Sequence, residues 1–116
     1  MNNTELLKGT LNTLILRFLS EHKRLYGYEI TQLVKEKSKN KILLKEGSLY
    51  PALHKLEAEG LVISEEVFIG KRVRRYYKLT EPGKKVTRTY IEELCGFLKT
   101  IEELILPFPN TYVPAK

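Results

Sequence analysis

The chain has 116 residues, of which 42% are hydrophobic and 29% charged, values typical of one globular domain with a modest core. No apolar run approaches the ~20 residues of a membrane span, the N-terminus lacks a signal-peptide pattern, and the single cysteine, Cys95, cannot form an internal disulfide, so we expect a cytoplasmic protein with no membrane contact. The net charge of +6 lies in residues 22–78, where thirteen Lys and Arg stand against seven Glu, and it favours either a polyanionic partner or simple solubility.

Two helices are predicted in the first 40 residues. Thr4 is suited to cap the first helix, whose apolar stripe is Leu7, Leu11, Leu14, Ile15 and Phe18, broadened by Leu6, Leu16 and Leu19. The second helix follows Tyr26-Gly27-Tyr28, and Gly27 permits a tight entry to it. Residues 38–41 are a polar connection, and residues 42–44 are expected to be either a brief strand or a buried link.

The third predicted helix, residues 46–60, has the most distinctive surface. Leu49, Leu53 and Leu56 have helical spacing and form an inward stripe, and Gly60 suits a left-handed C-cap. The outward face presents groups that hydrogen-bond or lie flat against a surface: Ser48, Tyr50, Pro51, His54 and Lys55. Such a face would fit the major groove of DNA, which admits one α-helix, but ordinary surface helices also look like this.

A β-hairpin follows the third helix. Residues 61–69 and 72–79 are rich in Val, Ile, Phe and Tyr, and Gly70-Lys71 between them suits a two-residue turn. Pairing across that turn sets Phe68 near Val73 and Glu66 near Arg75. Residues 71–78 carry five cations and no acid, namely Lys71, Arg72, Arg74, Arg75 and Lys78. This run favours phosphate contact over a merely solvated strand face.

The last predicted helix begins after Thr80, a suitable N-cap, and ends by Leu106 because Pro107 follows. Its apolar positions alternate steps of four and three: Tyr90, Leu94, Phe97, Ile101, Leu104 and Phe108. A helix of this length spans about 39 Å, more than the width of so small a domain. We therefore favour a second chain, rather than packing within one chain, as the cover of this seam. Residues 107–116 contain three prolines and are predicted to be irregular.

Catalysis finds little support in the sequence. There is no aspartate, the two histidines are isolated, and no metal-ligand spacing or glycine-rich loop appears. We predict no enzyme activity, no metal and no cofactor. Cys95 is expected to be a small buried hydrophobe.

The predicted order of elements is helix, helix, short strand, helix, hairpin and long helix. This is the order of a winged helix-turn-helix with an added dimerisation helix, mainly α with a small β-hairpin. We predict a DNA-binding domain over residues 1–80, a dimerisation helix over residues 81–106 and an irregular tail over residues 107–116. The third helix would read the major groove, and the hairpin would be the wing that touches the DNA backbone or minor groove.

Four segments resemble the PadR family of bacterial transcriptional regulators. Residues 47–61, GSLYPALHKLEAEGL, are similar to the family's third helix, and residues 74–83, RRYYKLTEPG, are similar to its wing strand and the start of its last helix. Residues 7–11 and 26–30 resemble the openings of its first two helices. The single last helix resembles the short subclass, which has one C-terminal dimerisation helix.

The resemblance implies a homodimeric DNA-binding regulator, generally a repressor that binds an inverted repeat in a promoter and is released by a small molecule or another signal. It assigns DNA contacts to Tyr28, Ser48, Tyr50, Pro51, His54, Lys55, Lys71, Arg72 and Arg74. Tyr76 and Tyr77 would support the wing, one of them in the core. We place the dimer interface on Leu7, Leu11, Tyr90, Leu94, Phe97, Ile101 and Leu104.

The chain departs from its short relatives at the effector site. Some of them bind flat aromatic compounds between tryptophans at the dimer centre, and this chain has no tryptophan. Leu94 and Phe97 would line an effector cavity at that place, although their spacing is also that of plain interface packing, which we favour. The alternative to a DNA-binding regulator is an interaction module whose winged helix docks an acidic protein and binds no DNA.

Overall fold

The computed structural model describes residues 4–108, with side chains from Leu6 onward. The helices are α1 Thr4–Leu7, α2 Leu11–Glu21, α3 Gly27–Lys37, α4 Glu46–Ala58 and α5 Glu81–Ile105. The strands are β1 Leu25–Tyr26, β2 Val62–Ile69 and β3 Arg72–Leu79, which form one antiparallel sheet in the order β1-β3-β2. The predicted fold class is confirmed: a mainly helical winged helix-turn-helix is followed by a long helix. Most of the predicted tail, residues 109–116, lies outside the described residues.

The first helix is interrupted, and the prediction of one continuous helix from Thr4 is wrong. The Thr10 hydroxyl and amide both donate to the Leu7 carbonyl, at 2.8 and 2.9 Å, and close a turn over residues 8–10. A threonine hydroxyl competes in this way with the helical backbone, and Gly9 makes departure from the helix easier. The apolar pattern gave no sign of the break, because Leu7 before it and Leu11 after it are both buried.

Helix α4 ends where the sequence predicted. Gly60 has φ of +77°, and its amide donates to the Glu57 carbonyl while the Leu61 amide donates to the Leu56 carbonyl, both at 3.0 Å. These two bonds form the Schellman motif, which satisfies carbonyls that the helix end would leave unpaired. Strand β2 therefore leaves α4 in a fixed direction.

The hairpin has the predicted register. Phe68 faces Val73 and Glu66 faces Arg75, and Gly70, with φ of +63°, opens the turn between β2 and β3. The wing is therefore a projecting two-stranded ribbon.

A third strand, β1, was not predicted. Leu25 pairs with Tyr77 and Tyr26 pairs with Tyr76, on the side of β3 away from β2. Two residues are too few to show a strand periodicity in the sequence. Of the two alternatives for residues 42–44, the structure has the buried link: these residues form no strand, and Leu44 lies in the core.

The core forms where α2, α3 and α4 meet one face of the sheet. Its least exposed members are Ile15 and Leu16 of α2, Ile30 of α3, Leu49, Leu53 and Leu56 of α4, and Val62 and Tyr77 of the sheet. Burial of each such aliphatic side chain contributes roughly 1.5–3 kcal/mol. Because all three leucines of α4 face inward, the orientation of its outward face is fixed by the core.

Helix α5 is anchored at its beginning. The Thr80 hydroxyl accepts from the Gly83 amide at 3.1 Å and donates to the Gly60 carbonyl at 2.7 Å, and the Thr80 amide donates to the Leu61 carbonyl at 3.1 Å. Thr80 thus caps α5, as predicted, and ties it to the end of α4. Gly83 packs so closely that a Cβ there would collide with the Leu61 carbonyl oxygen.

Beyond this anchor α5 leaves the core. Its buried residues are Gly83 and Thr87, both in its first two turns. The radius of gyration is 17.2 Å, whereas a compact chain of this length would have about 13 Å. Cys95 is exposed, and the prediction that it is buried is wrong because it lies past the part of α5 that the core covers. Among the described helices, none has both the length and the apolarity needed to span a bilayer.

We expect Gly83→Ala to lower the free energy of unfolding by about 1–3 kcal/mol, because the new methyl group must displace backbone atoms of Leu61. Gly96→Ala is the matched control in the same helix: no atom lies within 4 Å of the Cβ position, so it should raise that free energy by about 0.5–1 kcal/mol. Urea unfolding followed by circular dichroism at one protein concentration measures both. Equal effects of the two substitutions would contradict the close packing at Gly83.

The buried Tyr77 predicts a loss of stability in alkali. Burial raises the pKa of its hydroxyl above the ordinary value of 10.0. The unfolded chain therefore loses this proton first, so the free energy of unfolding is unaffected by it below pH 10 and falls as the pH rises from there toward the folded-state pKa. Tyr77→Phe should flatten this decline in urea titrations at stepped pH. If the free energy of unfolding of the variant falls with pH as steeply as that of the wild type, Tyr77 is not the cause of the decline.

Candidate nucleic-acid interface

The outward face of α4 is exposed, and the helix carries no acid between Glu46, its first residue, and Glu57. Pro51, His54 and Lys55 are exposed, and Ser48 and Tyr50 are half-buried at the base of the same face. Residues 47–56 contain no acid. All five predicted contact residues of this helix thus lie on one surface.

Tyr50 is positioned by the start of α3. A Cβ at Gly27 would lie 2.5 Å from the Tyr50 hydroxyl oxygen and 3.0 Å from Cζ, so only glycine leaves room for the ring. The sequence suggested that Gly27 serves a tight entry to its helix. Its role in the structure is close approach across the two helices of the helix-turn-helix.

The wing carries cations that no carboxylate neutralises. Lys71 and Arg72 are exposed at the turn, and neither pairs with a carboxylate in the described part of the chain. Arg75 differs, because its guanidinium lies 3.2 Å from a carboxylate oxygen of Glu66. Lys71 and Arg72 at the tip of the wing are therefore available to bind phosphates. Arg75 instead links the two strands of the wing through its ion pair with Glu66.

Arg74 is held by two tyrosines. Its Cζ lies 4.0 Å from the ring centroid of Tyr26, and its Nη1 donates to the Tyr76 hydroxyl at 3.5 Å. The hydrogen bond to Tyr76 raises the pKa of Arg74 above its ordinary value. The Tyr26 and Tyr76 rings themselves meet edge to face at 5.4 Å.

Two further residues extend this arrangement into an Arg–Tyr cluster of Arg24, Tyr26, Tyr28, Arg74 and Tyr76. Tyr28 is 63% exposed and lies 6.4 Å from Tyr26 with the rings nearly parallel. Arg24 lies 4.1 Å above the Tyr76 ring, but its charge is paired with Glu65 at 2.9 Å. The predicted contacts Tyr28 and Arg74 thus lie in one cluster at the open face of the sheet.

The residues predicted for dimerisation fall into two groups. Along α5 an apolar stripe lies open, with Phe97 61% and Leu104 77% exposed, while Tyr90, Leu94 and Ile101 are half-buried. Leu7 and Leu11 instead lie in the core, beside a groove that they share with Ser48, Pro51 and Lys55 of α4. Leu7 and Leu11 are therefore covered within one chain, whereas Phe97 and Leu104 are not.

Among the described residues, no three His, Cys or Glu side chains lie close enough together to hold a metal ion. The functional features of this surface are cationic, aromatic and hydrogen-bonding groups, which suit a polyanion.

Comparison with known proteins decides the family. Residues 15–89 match the model of the transcriptional regulator PadR-like family, and this stretch holds α3, α4 and the whole wing. The chain belongs to the PadR-like family. Members of this family are transcriptional regulators that bind DNA.

Sequence and structure relatives agree with this assignment. The PadR-like chain is 31% identical over 109 residues to an uncharacterised protein from Lysinibacillus sphaericus. The aligned residues cover 90% of this chain and 93% of that protein. It is 40% identical over 65 residues, 53% of its own length and 61% of the relative's, to a transcriptional regulator from Mycobacterium tuberculosis. A transcriptional regulator from Clostridium thermocellum superposes with a TM-score of 0.79 at 30% identity, covering 88% and 99% of the two chains.

The PadR-like chain also carries contacts that we did not predict as part of the site. Gly27 makes room for Tyr50, and Tyr26 and Tyr76 hold Arg74. The sequence showed aromatic residues near these positions, but the contact of Tyr26 with Arg74 depends on the pairing of β1 with β3. The contact of Gly27 with Tyr50 depends on the crossing of α3 and α4, and the sequence revealed neither arrangement.

We expect Gly27→Ala to weaken DNA binding about 3- to 10-fold, because the methyl group pushes the Tyr50 ring out of place. The cost in stability should be small, since the atom it meets is the free end of a side chain. Gly9→Ala is the control, because no atom lies within 4 Å of that Cβ position. Fluorescence anisotropy with labelled duplex measures affinity; wild-type affinity in Gly27→Ala would show that Tyr50 need not occupy this position.

Proposed function

We propose that this PadR-like regulator is a homodimeric repressor that binds an inverted-repeat operator in a promoter and is released by a signal. The observation that supports it best is the juxtaposition of an acid-free outward face on α4, an uncompensated cationic wing and an uncovered apolar stripe on one chain. The first two suit a major groove and its flanking phosphates. The third suits a second copy of the chain.

Dimer formation follows from the cost of leaving the stripe in water. Leu104, Ile105 and Phe97 each expose more than three fifths of their surface, and at 3.6 residues per turn Leu94, Phe97, Ile101 and Leu104 fall on one side of α5. Two such helices packed together would set the two α4 helices on successive major grooves, about 34 Å apart along the duplex. An inverted repeat has the symmetry of such a dimer.

Within this interface Leu94 and Phe97 would offer the apolar surface for a small-molecule effector. Release by an effector requires that it bind the DNA-free form more tightly than the DNA-bound form. Tyr90, which packs against the core, lies one turn before Leu94 and would link such a site to the DNA-binding domain.

The direct test is a footprint on the DNA upstream of the protein's own gene. Protection of two half-sites related by two-fold symmetry is the expected result. No protection of any fragment at moderate salt would overturn the proposal and favour the alternative of an interaction module.

Base and phosphate contacts should respond differently to substitution. Lys71→Ala and Arg72→Ala should weaken binding to all sequences and lower the slope of log K against log salt by about 0.9 for each phosphate that is no longer neutralised. Tyr50→Ala and Lys55→Ala should lose more affinity on the operator than on random DNA, by about 1–3 kcal/mol. Anisotropy titrations at several salt concentrations separate the two classes, and identical profiles would contradict these roles.

The dimer interface can be tested by placing a glutamate on the apolar side of α5 and, as a control, on its opposite side. Phe97→Glu or Leu104→Glu should give a monomer in light scattering coupled to gel filtration, because each chain would then bury a carboxylate in the interface. Lys99→Glu places the same residue on the opposite side of α5 and should leave the dimer intact. A wild-type monomer at micromolar concentration would refute the homodimer.

A further inference from the structure

A cleft separates the wing from the two helices of the helix-turn-helix. Tyr26, Gly27 and Tyr50 line one side, and Ile69 and residues 72–75 line the other, enclosing about 370 Å³. A phosphodiester group with part of its hydration would fit between the recognition helix and the wing.

The charge of this cleft is positive and largely uncompensated. None of its lining residues is acidic, although three are arginines. Arg75 is neutralised by Glu66, but in the described part of the chain Arg72 and Arg74 pair with no carboxylate. An anion entering the cleft would therefore meet two guanidinium groups that form no salt bridge with a carboxylate of the described chain, although the Glu29 carboxylate acts on Arg74 from a greater distance.

Arg74 is the better ordered of the two. Its guanidinium lies over the Tyr26 ring at 4.0 Å and gives one hydrogen bond to the Tyr76 hydroxyl. Tyr26 is fixed in turn, because its amide donates to a Glu29 carboxylate oxygen at 3.1 Å and its ring meets the edge of Tyr76. Most of the five N–H donors of Arg74 remain open to a ligand, and a planar guanidinium can bind two phosphate oxygens at once.

We propose that this cleft seats one DNA backbone phosphate in each half-site, and that Tyr26 and Tyr76 are positioning residues that hold the Arg74 guanidinium toward it. An arginine that is ordered before DNA arrives loses less side-chain freedom on binding than one that is mobile. The proposal rests on the proposed function, and it adds a defined subsite and two residues that act through Arg74.

Arg24 offers a matched control. It lies over the Tyr76 ring at nearly the same distance as Arg74 does over Tyr26, 4.1 Å, but its charge is paired with Glu65 and it does not line the cleft. If stacking of an arginine on a tyrosine were merely structural, the two arginines would behave alike. If the cleft binds a phosphate, loss of Arg74 should weaken DNA binding and loss of Arg24 should not.

The first experiment compares the salt dependence of binding to the footprinted duplex. Arg74→Ala should lower the slope of log K against log salt by about 0.9 for each phosphate that it leaves without a cation, and Arg24→Ala should leave the slope unchanged. Arg74→Lys should keep the slope while affinity falls 3- to 10-fold, since the charge remains but the planar fork is removed. A wild-type slope in Arg74→Ala would overturn the proposal.

The second experiment tests the tyrosines. Tyr26→Leu and Tyr76→Phe should each weaken binding 2- to 10-fold in the wild-type background and have no effect in an Arg74→Ala background. Tyr26→Phe retains the ring face and should bind as the wild type does. Equal losses in both backgrounds would mean that the tyrosines act on folding or on another contact, and the positioning role would be rejected.

The third experiment locates the phosphate. Single neutral methylphosphonate linkages are placed along each half-site of the footprinted duplex. One linkage in each half-site should weaken binding of the wild type but leave binding of Arg74→Ala unchanged. If every linkage that weakens DNA binding by the wild type weakens binding by Arg74→Ala equally, the phosphate subsite is refuted but the proposed repressor function is not. If the wild type gives no footprint at all, both proposals are refuted.

Discussion

The structure depends on one backbone junction, at which α4 ends, the wing begins and α5 starts. The Leu61 carbonyl accepts the Thr80 amide at 3.1 Å, the Thr80 hydroxyl reaches the Gly60 carbonyl, and Gly83 has no side chain to keep α5 away. These contacts join the end of α4 and the start of the wing to the start of α5, which lies about twenty residues later in the chain. The start of α5, the end of α4 and the base of the wing therefore form one packed unit.

This junction gives a physical route between the two ends of the molecule. The far half of α5 has no cover within the described chain, whereas its first two turns are packed against α2 and the sheet. A partner or a small molecule on the far half would act on a rigid helix that is held at Leu61. Helix α4 is held in turn by three fully buried leucines, so it would move as a unit with the core rather than bend.

The cationic side of the molecule is organised by a different principle: carboxylates neutralise some of its arginines and leave others unpaired. Of the arginines around the wing, Arg24 and Arg75 are paired with carboxylates of β2, while Arg72 and Arg74 are left without carboxylate partners in the described chain. Glu65 and Glu66 of β2 thus neutralise Arg24 and Arg75, and the remaining arginines are available to a polyanion. The aromatic rings of Tyr26 and Tyr76 supply order where a carboxylate would have cancelled the charge.

The sequence by itself determined the helices from α3 onward, the hairpin register, the caps at Gly60 and Thr80 and the outward face of α4, because each depends on neighbours close in the chain. It did not determine the break at Gly9, the strand at Leu25–Tyr26, the reason for Gly27 or the exposure of Cys95. Those depend on which distant atoms come together: Tyr26 meets Arg74 only because β1 pairs with β3, and Gly27 meets Tyr50 only because two helices cross. Periodicity carries information about faces, whereas contacts across elements are decided by tertiary packing.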